Sequence, residues 1–335
     1  MTTTIAINGF GRIGRLVLRA VFEGNAPDFK VAAINDLADA DRLAHLLKYD
    51  SVHGRFPGEV SSLGDSLIIN DQTIPTFKER DPAALPWGEL GIDIAMECTG
   101  FFLTEDLAGK HLQAGAKRVL ISAPAKDAVK TVVYGINHDV INKDDRIISN
   151  ASCTTNALAP LIQTLDKAFG INSGIMTTIH AYTGGQNLAD GIHKDPYRGR
   201  AAALSMIPTS TGAAKAIGKV IPHLNGKLHG MSLRVPTPNV SAVDLTVSVK
   251  NNASADTVRA AFLAASSGPL KGVMAYIEDK TVSIDFNHDP HSSSFVADQV
   301  FTTDDNMIRV FSWYDNEWGF SNRMLDTARV MSALL

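Results

Sequence analysis

Residues 3–15 read TTIAINGFGRIGR, and this stretch decides the fold. Thr3 to Asn8 is a short apolar and β-branched run typical of a strand, and Gly11 to Glu23 has the spacing of a helix. The turn between them, Gly9 to Gly14, is a GxGxxG sequence. Its first glycine permits a tight turn, its second lets backbone N–H groups approach an anion, and its third allows close helix–sheet packing. The stretch predicts the start of a βαβ unit.

A single GxGxxG also occurs in ordinary glycine-rich turns, so its context decides between the two interpretations. A second strand, Val31 to Asp36, ends in a carboxylate 22 residues after Gly14. This spacing is close to the about 20 residues expected for a carboxylate that binds ribose hydroxyls. The combination favours a dinucleotide site.

The alternation of strand and helix patterns continues to about residue 150. A helix is predicted over Asp39 to Lys48, an inserted hairpin over Ser66 to Lys78, and further strands at Ile92–Glu97, Val119–Ser122, Val132–Tyr134 and Ile147–Ser149. Because this pattern builds parallel sheets, we expect an α/β fold with a Rossmann-type, doubly wound, mostly parallel sheet.

The pattern changes after residue 150. A helix-like run from Thr154 to Phe169 leads to longer alternating segments at Ser173–Tyr182, Lys227–Val235, Ser241–Lys250 and Met307–Tyr314. These are typical of half-buried antiparallel strands. We therefore expect a dinucleotide-binding domain over residues 1–151 and an α+β catalytic domain with a mainly antiparallel sheet over residues 152–316. A C-terminal helix at about 317–335 should pack back on the first domain.

Composition excludes several classes of protein. The chain has 335 residues, 45% of them apolar and 20% charged, which fits about two globular domains. The net charge of −4 offers no basic field, so no nucleic-acid partner is expected. The N-terminus does not resemble a leader, and no apolar run reaches about 18 residues, so we expect no membrane partner. Two cysteines do not make a disulfide framework, which favours a reducing, cytoplasmic location.

Cys153 and His180 are the candidate catalytic residues. Cys153 stands at the predicted start of a helix, where the helix dipole and free N–H groups lower a thiol pKa from about 8.5. Cys98, in contrast, follows an apolar run and is interpreted as a core residue. A helix over residues 153–169 carries the chain roughly 25 Å away. A strand over residues 172–180 brings it back roughly 26 Å, which returns His180 to the level of Cys153. A structural histidine is the ordinary alternative to a general base.

The remaining polar residues predict no metal site, since His288 and His291 are separated by a proline. Candidate anion ligands are Thr183, Arg198, Arg200, Arg234 and the turn Thr209 to Gly212. By themselves these would be ordinary surface arginines and a helix cap.

Several long stretches carry a resemblance that covers nearly the whole chain. They are INGFGRIGR at 7–15, SNASCTTN at 149–156, HAYTGGQ at 180–186, RAAALSMIPTSTGAAKAIG at 200–218, RVPTPNVS at 234–241 and WYDNEWGFSNRM at 313–324. In this order they resemble the phosphorylating glyceraldehyde-3-phosphate dehydrogenases.

The resemblance implies a role for each candidate residue. Cys153 would be the nucleophile, His180 its base, and NAD the cofactor. To Gly9, Gly11 and Gly14 it adds cofactor contacts at Arg12, Ile13, Asp36, Arg80, Ser122 and Asn316, the last holding the nicotinamide carboxamide. It suggests Thr183 and Arg234 for the substrate phosphate, and Ser152, Thr154, Arg198, Thr211 and Gly212 for inorganic phosphate. A homotetramer is also implied.

Three departures from the family pattern matter. Ala157 replaces a second cysteine that many relatives carry four residues after the nucleophile. Tyr197 stands where many relatives have arginine, so the choice between Arg198 and Arg200 at the phosphate stays open. Gly191-Ile192 stands where strongly NAD-selective members have Leu-Pro, so NADP stays open beside NAD.

The resemblance implies NAD-dependent oxidation and phosphorylation of glyceraldehyde 3-phosphate to 1,3-bisphosphoglycerate, in glycolysis or gluconeogenesis. A thiohemiacetal and a thioester on the cysteine would be the intermediates. The first alternative is an erythrose-4-phosphate dehydrogenase, although such relatives depart from the TGAAK and HAYT patterns. A non-catalytic NAD-binding regulator would leave the cysteine and histidine pair unused, and a cysteine hydrolase would leave the dinucleotide motif unused.

Overall fold

The computed structural model describes residues 2–335 of the chain. It forms two compact units. Unit 1 consists of Met1–Tyr134, His138–Ser152 and Ser321–Leu335, and unit 2 of Gly135–Asn137 and Cys153–Phe320.

Unit 1 is an α/β unit built on a nine-stranded sheet. Its strands are β1 (Thr3–Asn8), β2 (Phe29–Asn35), β3 (Tyr49–Asp50), β4 (Gly54–Arg55), β5 (Val60–Ser62), β6 (Ser66–Ile69), β7 (Gln72–Phe77), β8 (Ile94–Glu97), β9 (Arg118–Ile121), β10 (Lys130–Thr131) and β11 (Ile147–Ser149). Its helices are α1 (Arg12–Ala20), α2 (Ala40–Lys48), α3 (Glu105–Ala108) and α4 (Lys110–Gln113).

The large sheet has the order β10-β11-β9-β8-β1-β2-β7-β6-β5, and β3 and β4 form a separate ribbon. All pairs from β10 to β7 are parallel, whereas β7 pairs antiparallel with β6, and β6 with β5. The prediction of a mostly parallel sheet is therefore confirmed. The chain leaves β1 for β2 on one side and later reaches β8 on the other. This reversal opens a crevice at the carboxyl ends of the strands, where such folds bind ligands.

The C-terminal part of the chain is tied into unit 1 by buried and partly buried polar contacts. Thr327 Oγ1 donates to Asn150 Oδ1 at 2.7 Å, and Arg329 makes a two-pronged contact with Asp28 at 2.9 and 3.0 Å. The buried guanidinium of Arg118 donates to the carbonyl of Leu334 at 2.8 Å. Helix α8 (Trp318–Ser332) supplies most of these residues.

Unit 2 contains an eight-stranded sheet covered by helices. Its strands are β12 (Ile171–Ala181), β13 (Ile207–Ser210), β14 (Leu228–Val235), β15 (Ser241–Val249), β16 (Met274–Ile277), β17 (Ser293–Val296), β18 (Phe301–Thr302) and β19 (Met307–Tyr314). Helices α5 (Cys153–Phe169), α6 (Ala213–Val220) and α7 (Ala255–Ser267) pack on these strands. The order is β13-β14-β12-β15-β19-β17-β16, with β18 beside β19.

Local sequence explains these elements. The run SAVDLTVSV of β15 alternates residues that are buried with residues that are half-exposed, as a strand with one covered face requires. Ser254 caps α7, because its hydroxyl accepts the backbone N–H of Thr257. None of the helices described within residues 2–335 is long and apolar enough to cross a membrane.

Two predictions about the strands are wrong, and several short strands were not predicted. Val132–Tyr134 is not a strand, and the two-residue β10 at Lys130–Thr131 takes the edge position instead. β14 runs parallel to β12, not antiparallel, although most of the other pairs in this sheet are antiparallel. Strands β13, β16, β17 and β18 were not predicted. Alternation identifies a strand but does not identify its neighbours.

Candidate functional site

A cavity of about 470 Å³ lies in the crevice of unit 1. The predicted cofactor residues Gly9, Gly11, Asp36 and Arg80 line it. Its remaining wall consists of Cys98, which was interpreted as a core residue, and of residues that the sequence analysis did not single out: Asn8, Asn35, Leu37, Glu79, Thr99, Phe101 and Phe102. The walls combine carboxylate, amide and backbone groups with two aromatic rings, which suits the ribose, phosphate and base of a dinucleotide.

Two glycines of the turn are required by geometry. Gly9 has a φ of 90°, and a Cβ placed on it would lie 2.7 Å from the backbone nitrogen of Thr99. A Cβ on Gly14 would lie 2.1 Å from the carbonyl oxygen of Gly9. Gly11, in contrast, has nothing within 4 Å of the position where its Cβ would be. The open space beside Gly11 is where a ligand can approach the backbone, and this fits a pyrophosphate.

Asp36 is held in place by the glycine-rich turn itself. The backbone N–H of Phe10 donates to Asp36 Oδ2 at 2.8 Å, and that of Ala38 donates to Oδ1 at 3.2 Å. A carboxylate oxygen can accept more than one hydrogen bond, so both oxygens keep capacity for a further donor. Because Asp36 also lines the cavity, its carboxylate can accept hydrogen bonds from ribose hydroxyls there.

Of the other predicted cofactor residues, Arg12 begins α1 and reaches back to Asp50 at the end of β3. Its Nη1 atom lies 2.5 Å from Asp50 Oδ2. Burial raises the pKa of Asp50, but the Arg12 guanidinium and the N–H groups of His53 and Val52 outweigh it and hold the pKa at about 2. Ile13 follows Arg12 in α1, and Ser122 directly follows β9, with its N–H bonded to the carbonyl of Glu97 at 2.9 Å.

The ion pair of Asp50 predicts an acid-dependent loss of stability. The carboxyl pKa is about 3.8 in the unfolded chain and about 2 in the folded chain, so ionised Asp50 stabilises the fold above pH 4. We expect Asp50→Asn to lower the free energy of unfolding by about 1–2 kcal/mol at neutral pH. The difference from the unmutated protein should shrink as pH falls from about 4 to 2. Urea unfolding at several pH values measures this.

The matched control is Asp39→Asn, which removes the exposed partner of Lys78. An exposed pair contributes little, so the free energy of unfolding should change much less in Asp39→Asn than in Asp50→Asn. An equal loss in both variants would contradict a special role for Asp50.

A buried hydrogen-bond network supports the floor of the cavity. Glu97, the last residue of β8, is fully buried, and its Oε2 atom accepts Asn8 Nδ2 at 2.5 Å and lies 3.1 Å from His111 Nε2. Trp87 Nε1 donates to His111 Nδ1 at 3.0 Å, so Nε2 carries the proton that reaches Glu97. Asn35 Nδ2 donates to Asn8 Oδ1 at 2.7 Å. Asn8, Asn35 and Glu97 are the last residues of three neighbouring parallel strands, and this shared position is the sequence signal that could have identified them.

The candidate catalytic pair lies in unit 2. Cys153 is the first residue of α5, and His180 is the penultimate residue of β12. The Cys153 Sγ atom lies 3.6 Å from His180 Nε2. On the far side of the ring, His180 Nδ1 lies 2.6 Å from the carbonyl oxygen of Ala181. Arg234 Nη1 also lies 2.8 Å from Nδ1. In the tautomer whose Nδ1–H donates to the Ala181 carbonyl, Nε2 presents its lone pair to the thiol, which is the arrangement of a nucleophile and its base.

The electrostatics of the pair differ from the sequence prediction. Burial raises the pKa of Cys153, and the opposing effects of the Arg234 charge and of hydrogen bonds from Thr154 do not overcome it. The expected lowering of the thiol pKa is therefore wrong for the protein without ligands. Burial and the Arg234 charge also lower the pKa of His180 to about 3. Both shifts favour the neutral forms, a thiol beside an unprotonated imidazole.

Tyr314, which the sequence analysis did not single out, forms the wall behind the pair. It is buried, and its hydroxyl lies 3.0 Å from Thr154 Oγ1 and 2.8 Å from Thr178 Oγ1. Its ring meets the His180 ring edge to face at 6.0 Å. These contacts support one edge of the imidazole ring, and no sequence pattern identified them.

Among the candidate anion ligands, Arg234 and Arg198 lie near the catalytic pair. Arg234 stands opposite His180 in the sheet, and its Nη1 atom donates to the Ala181 carbonyl at 3.0 Å. Its Nε atom is buried and has no hydrogen-bond partner within residues 2–335. The charge of Arg198 further lowers the pKa of both His180 and Arg234. Two cations so close together favour an anion between them.

The remaining anion candidates are placed as follows. Arg200 is exposed and bonded to Asp190 at 2.9 Å, whereas Asp195 lies 3.4 Å from Arg198. Thr183 follows β12 by two residues, and its N–H donates to Gln186 Oε1 at 3.3 Å. Thr211 and Gly212 precede α6, where Thr211 Oγ1 accepts the N–H of Ala213 at 3.2 Å. Thr154 is in the first turn of α5, Ser152 ends a segment of unit 1, and Asn316 follows β19.

Metal chemistry has no candidate site here: within residues 2–335 no group of three histidine, cysteine, aspartate or glutamate side chains could hold a metal ion. The second cysteine, Cys98, is also unsuited to catalysis. Burial and then the charge of Glu97 raise its pKa to about 12.

Comparisons with known proteins agree with this chemistry. Residues 3–105 match the family model for the NAD binding domain of glyceraldehyde 3-phosphate dehydrogenase, and residues 152–316 match its C-terminal domain. The chain is 57% identical to the glyceraldehyde-3-phosphate dehydrogenase of Cereibacter sphaeroides and 56% identical to that of Xanthobacter flavus, over the full length of each. It is 55% identical to the Pseudomonas aeruginosa enzyme over 99% of both chains. The chain therefore belongs to the glyceraldehyde-3-phosphate dehydrogenase family.

Proposed function

We propose that the protein oxidises glyceraldehyde 3-phosphate with NAD and transfers the acyl group to inorganic phosphate, giving 1,3-bisphosphoglycerate. The observation that carries the proposal is the 3.6 Å separation of Cys153 Sγ and His180 Nε2 at the start of a helix. Together with the family membership, this pair identifies aldehyde oxidation through a covalent intermediate. The reaction is a step of glycolysis and, in reverse, of gluconeogenesis.

The first role of the pair is nucleophilic attack. Cys153 Sγ attacks the aldehyde carbon while His180 Nε2 takes the thiol proton and then passes it to the carbonyl oxygen, so that a thiohemiacetal forms on the cysteine and Nε2 is free again. Nε2 is unprotonated at neutral pH and can accept the proton, because burial and the Arg234 charge lower the pKa of His180 to about 3. The positive charge of Arg234 then stabilises the sulfur anion as it develops.

The second role is to move the proton of the thiohemiacetal hydroxyl, which must leave for the carbon to become a thioester. His180 is the base within reach, with Ala181 holding the ring through Nδ1. NAD, when bound, accepts the hydride of this oxidation. The thioester keeps the acyl group reactive until inorganic phosphate attacks its carbon and releases Cys153.

Two anion sites serve this sequence, because both the substrate and the acyl acceptor carry phosphate. We assign Thr183 and Arg234 to the substrate phosphate. We assign Ser152, Thr154, Arg198, Thr211 and Gly212 to inorganic phosphate. The choice of Arg198 over Arg200 is supported by the exposed ion pair that binds Arg200 to Asp190.

We further propose that unit 1 binds the dinucleotide through Gly9, Gly11, Arg12, Ile13, Gly14, Asp36, Arg80 and Ser122, and that unit 2 carries the catalytic pair and Asn316. The fit of unit 1 is supported by the cavity beside Gly11 and by the carboxylate of Asp36 in its wall. Asn316 would hold the nicotinamide carboxamide. The helix over residues 317–335 would complete the dinucleotide-binding domain.

The test is the change in absorbance at 340 nm on mixing enzyme, NAD and glyceraldehyde 3-phosphate, with and without phosphate. Sustained turnover should require phosphate, whereas a single turnover should not. Erythrose 4-phosphate is the competing substrate to compare. A protein that binds NAD but shows no single turnover with either aldehyde would be a regulator, and the proposal would be wrong.

Cofactor choice gives a second prediction. A 2′-phosphate beside Asp36 would meet charge repulsion and lose hydrogen bonds, at a cost of about 2 to 4 kcal/mol. We expect kcat/KM to favour NAD by about 30-fold or more, since each 1.4 kcal/mol is tenfold. Asp36→Ala should narrow this ratio, by weakening NAD and admitting NADP. Steady-state kinetics with both cofactors measure it.

The matched variant Asp36→Asn removes the charge and keeps the shape, so it separates repulsion from lost hydrogen bonds. Gly191 and the fully exposed Ile192 can only relieve crowding, which is a weaker effect. Equal kcat/KM for NAD and NADP in the unmutated enzyme would show that this loop, and not Asp36, sets the cofactor choice.

We also propose a homotetramer in the cytoplasm. One face of the unit 2 sheet is uncovered within the chain, with Ile175 and Met231 68% and 42% exposed. A groove of about 790 Å³ lies on this face across β12, β14, β15 and β19. A second copy could cover it. The reducing cytoplasm suits the two free cysteines. Light scattering after size-exclusion chromatography measures the oligomeric state.

A further inference from the structure

Ser241 is the first residue of β15, and its side chain connects β12, the strand that carries His180, to Asn316. Its hydroxyl oxygen accepts the backbone N–H of Ala181 at 3.0 Å, and its hydroxyl donates to Asn316 Oδ1 at 2.7 Å. All three residues are at least 95% buried. Ala181 directly follows His180, so one side chain is bonded to both the strand end that carries the base and the residue assigned to the nicotinamide.

The hydrogen bond from Ser241 to Asn316 decides which end of the Asn316 amide is available to a ligand. A backbone N–H can only donate, so it occupies the Ser241 oxygen as an acceptor and leaves the hydroxyl hydrogen for Asn316. Asn316 Oδ1 is therefore engaged, whereas Nδ2 has no hydrogen-bond partner within residues 2–335 and is not sealed from solvent. Without Ser241 the two ends of the amide could exchange places.

The surrounding backbone holds Ser241 in this position. Val240 has a φ of 65°, which is rare for a β-branched residue and persists only where the surroundings determine it. On its other side, Asn239 Nδ2 donates to Asp315 Oδ2 at 2.8 Å. Asn239 and Ser241 thus bind the consecutive residues Asp315 and Asn316. Val240, with its unfavourable φ, therefore lies between two residues whose side chains both hydrogen-bond to the segment Asp315–Asn316.

We propose that Ser241 is a positioning residue for the nicotinamide end of the cofactor. It orients the Asn316 amide so that Nδ2 is presented as a donor to the carboxamide oxygen. This inference rests on the assignment of Asn316 in the proposed function. Ser241 itself touches neither the substrate nor the cofactor, and acts through Asn316.

A purely structural serine would have different consequences. Ser241 also lies close enough to Tyr314, behind the catalytic pair, to help lower the pKa of its hydroxyl, so a change in turnover alone would not separate the two roles. Binding of ADP-ribose does separate them, because this fragment of NAD lacks the nicotinamide. A positioning role predicts weaker binding of NAD with unchanged binding of ADP-ribose.

The experiment is a double-mutant cycle of Ser241→Ala and Asn316→Ala on the full chain, with dissociation constants of NAD and ADP-ribose measured by calorimetry. We expect each single variant to weaken NAD by about 3- to 10-fold, the usual effect of one neutral hydrogen bond. The double variant should be no weaker than Asn316→Ala alone. ADP-ribose should bind all four proteins equally.

The controls keep every outcome decisive. Ser293→Ala removes an equally buried hydroxyl that bonds to Ser312 at 2.7 Å, and it should change neither constant. If Ser241→Ala does not fold, the isosteric pair Ser241→Thr and Ser241→Val replaces it, and only the valine should weaken NAD.

Additive effects, or an unchanged NAD constant in Ser241→Ala beside a weakened Asn316→Ala, would overturn the inference. An unchanged NAD constant in Asn316→Ala would instead remove the assignment of Asn316 in the proposed function, and the inference with it.

Discussion

Replacing Cys153 with serine is expected to reduce kcat/KM for aldehyde oxidation by about 10⁴-fold or more. In the proposed mechanism, the thiol reaches its reactive form by giving one proton to His180, 3.6 Å away. A serine hydroxyl ionises far less readily than a thiol, so the same base cannot generate a comparable nucleophile near neutral pH. No thioester would form, and phosphate would have no acyl group to attack.

The fold and NAD binding should survive this change, because the oxygen is smaller than the sulfur it replaces and the cavity for the dinucleotide lies in unit 1. Circular dichroism and NAD titration test both points, and a single-turnover assay tests the chemistry. Alkylation provides the comparison within one protein: the unmutated enzyme should be labelled at Cys153 and not at Cys98, whose pKa is raised to about 12. A folded Cys153→Ser protein with near-normal turnover would exclude the thiol mechanism.

The dinucleotide half of the site could be predicted from the sequence because its information is local. The strand, the three glycines and the helix are contiguous, and Asp36 follows at a spacing that βαβ geometry dictates. The network around Glu97 is different. Its members, Asn8, Trp87, His111 and Glu97, come from separate segments. Only the folded sheet brings these segments together.

For the catalytic pair, the lengths of a helix and a strand predicted where a residue lies but not how deeply it is buried. The length of α5 and the return of β12 place His180 beside Cys153 in the chain's path. The thiol pKa was predicted in the wrong direction because the sequence shows a helix start but not how deeply it is buried. Burial disfavours the thiolate more than the helix end and Arg234 favour it.

The same distinction explains the errors in topology. β14 alternates like an antiparallel strand, yet its neighbour β12 runs parallel to it. The parallel pairing depends on the long connection that carries β13 and α6, whose course no periodicity reveals. Similarly, the choice between Arg200 and Arg198 rests on an exposed ion pair between Arg200 and Asp190, which lies ten residues before it. This pair depends on how the loop between Asp190 and Arg200 folds.

His180→Asn should slow aldehyde oxidation by about 10² to 10⁴-fold, the usual contribution of a positioned general base. Asparagine can keep a hydrogen bond to the Ala181 carbonyl, but its amide cannot accept a proton from the thiol or from the thiohemiacetal. Alkylation of Cys153 near pH 7 should slow as well. In this variant the pH dependence of the alkylation rate should report a Cys153 pKa above the ordinary value for a thiol, because burial still raises this pKa.

The matched control is His223→Asn. His223 is 62% exposed and is bonded to Asp166 at 2.6 Å on the surface of unit 2. The His223→Asn substitution should leave the rates of aldehyde oxidation and of Cys153 alkylation unchanged. If His180→Asn also leaves both rates unchanged, then the proximity of the two side chains has no catalytic meaning, and a different group must take the proton.

The low pKa of His180 gives an independent measurement of the same residue. Burial and the Arg234 charge place the pKa at about 3 in the folded chain, against about 6.5 when unfolded. Between these values the unfolded chain binds the extra proton, so His180 makes the fold less stable as pH falls from 6.5 towards 3. Above pH 6.5 this effect vanishes. Because asparagine does not titrate, His180→Asn should lose less stability than the unmutated protein on acidification from pH 7 to pH 4. Urea unfolding at both pH values measures the difference, and an identical loss in the two proteins would mean that the pKa of His180 does not change on folding, which would contradict its burial beside Arg234.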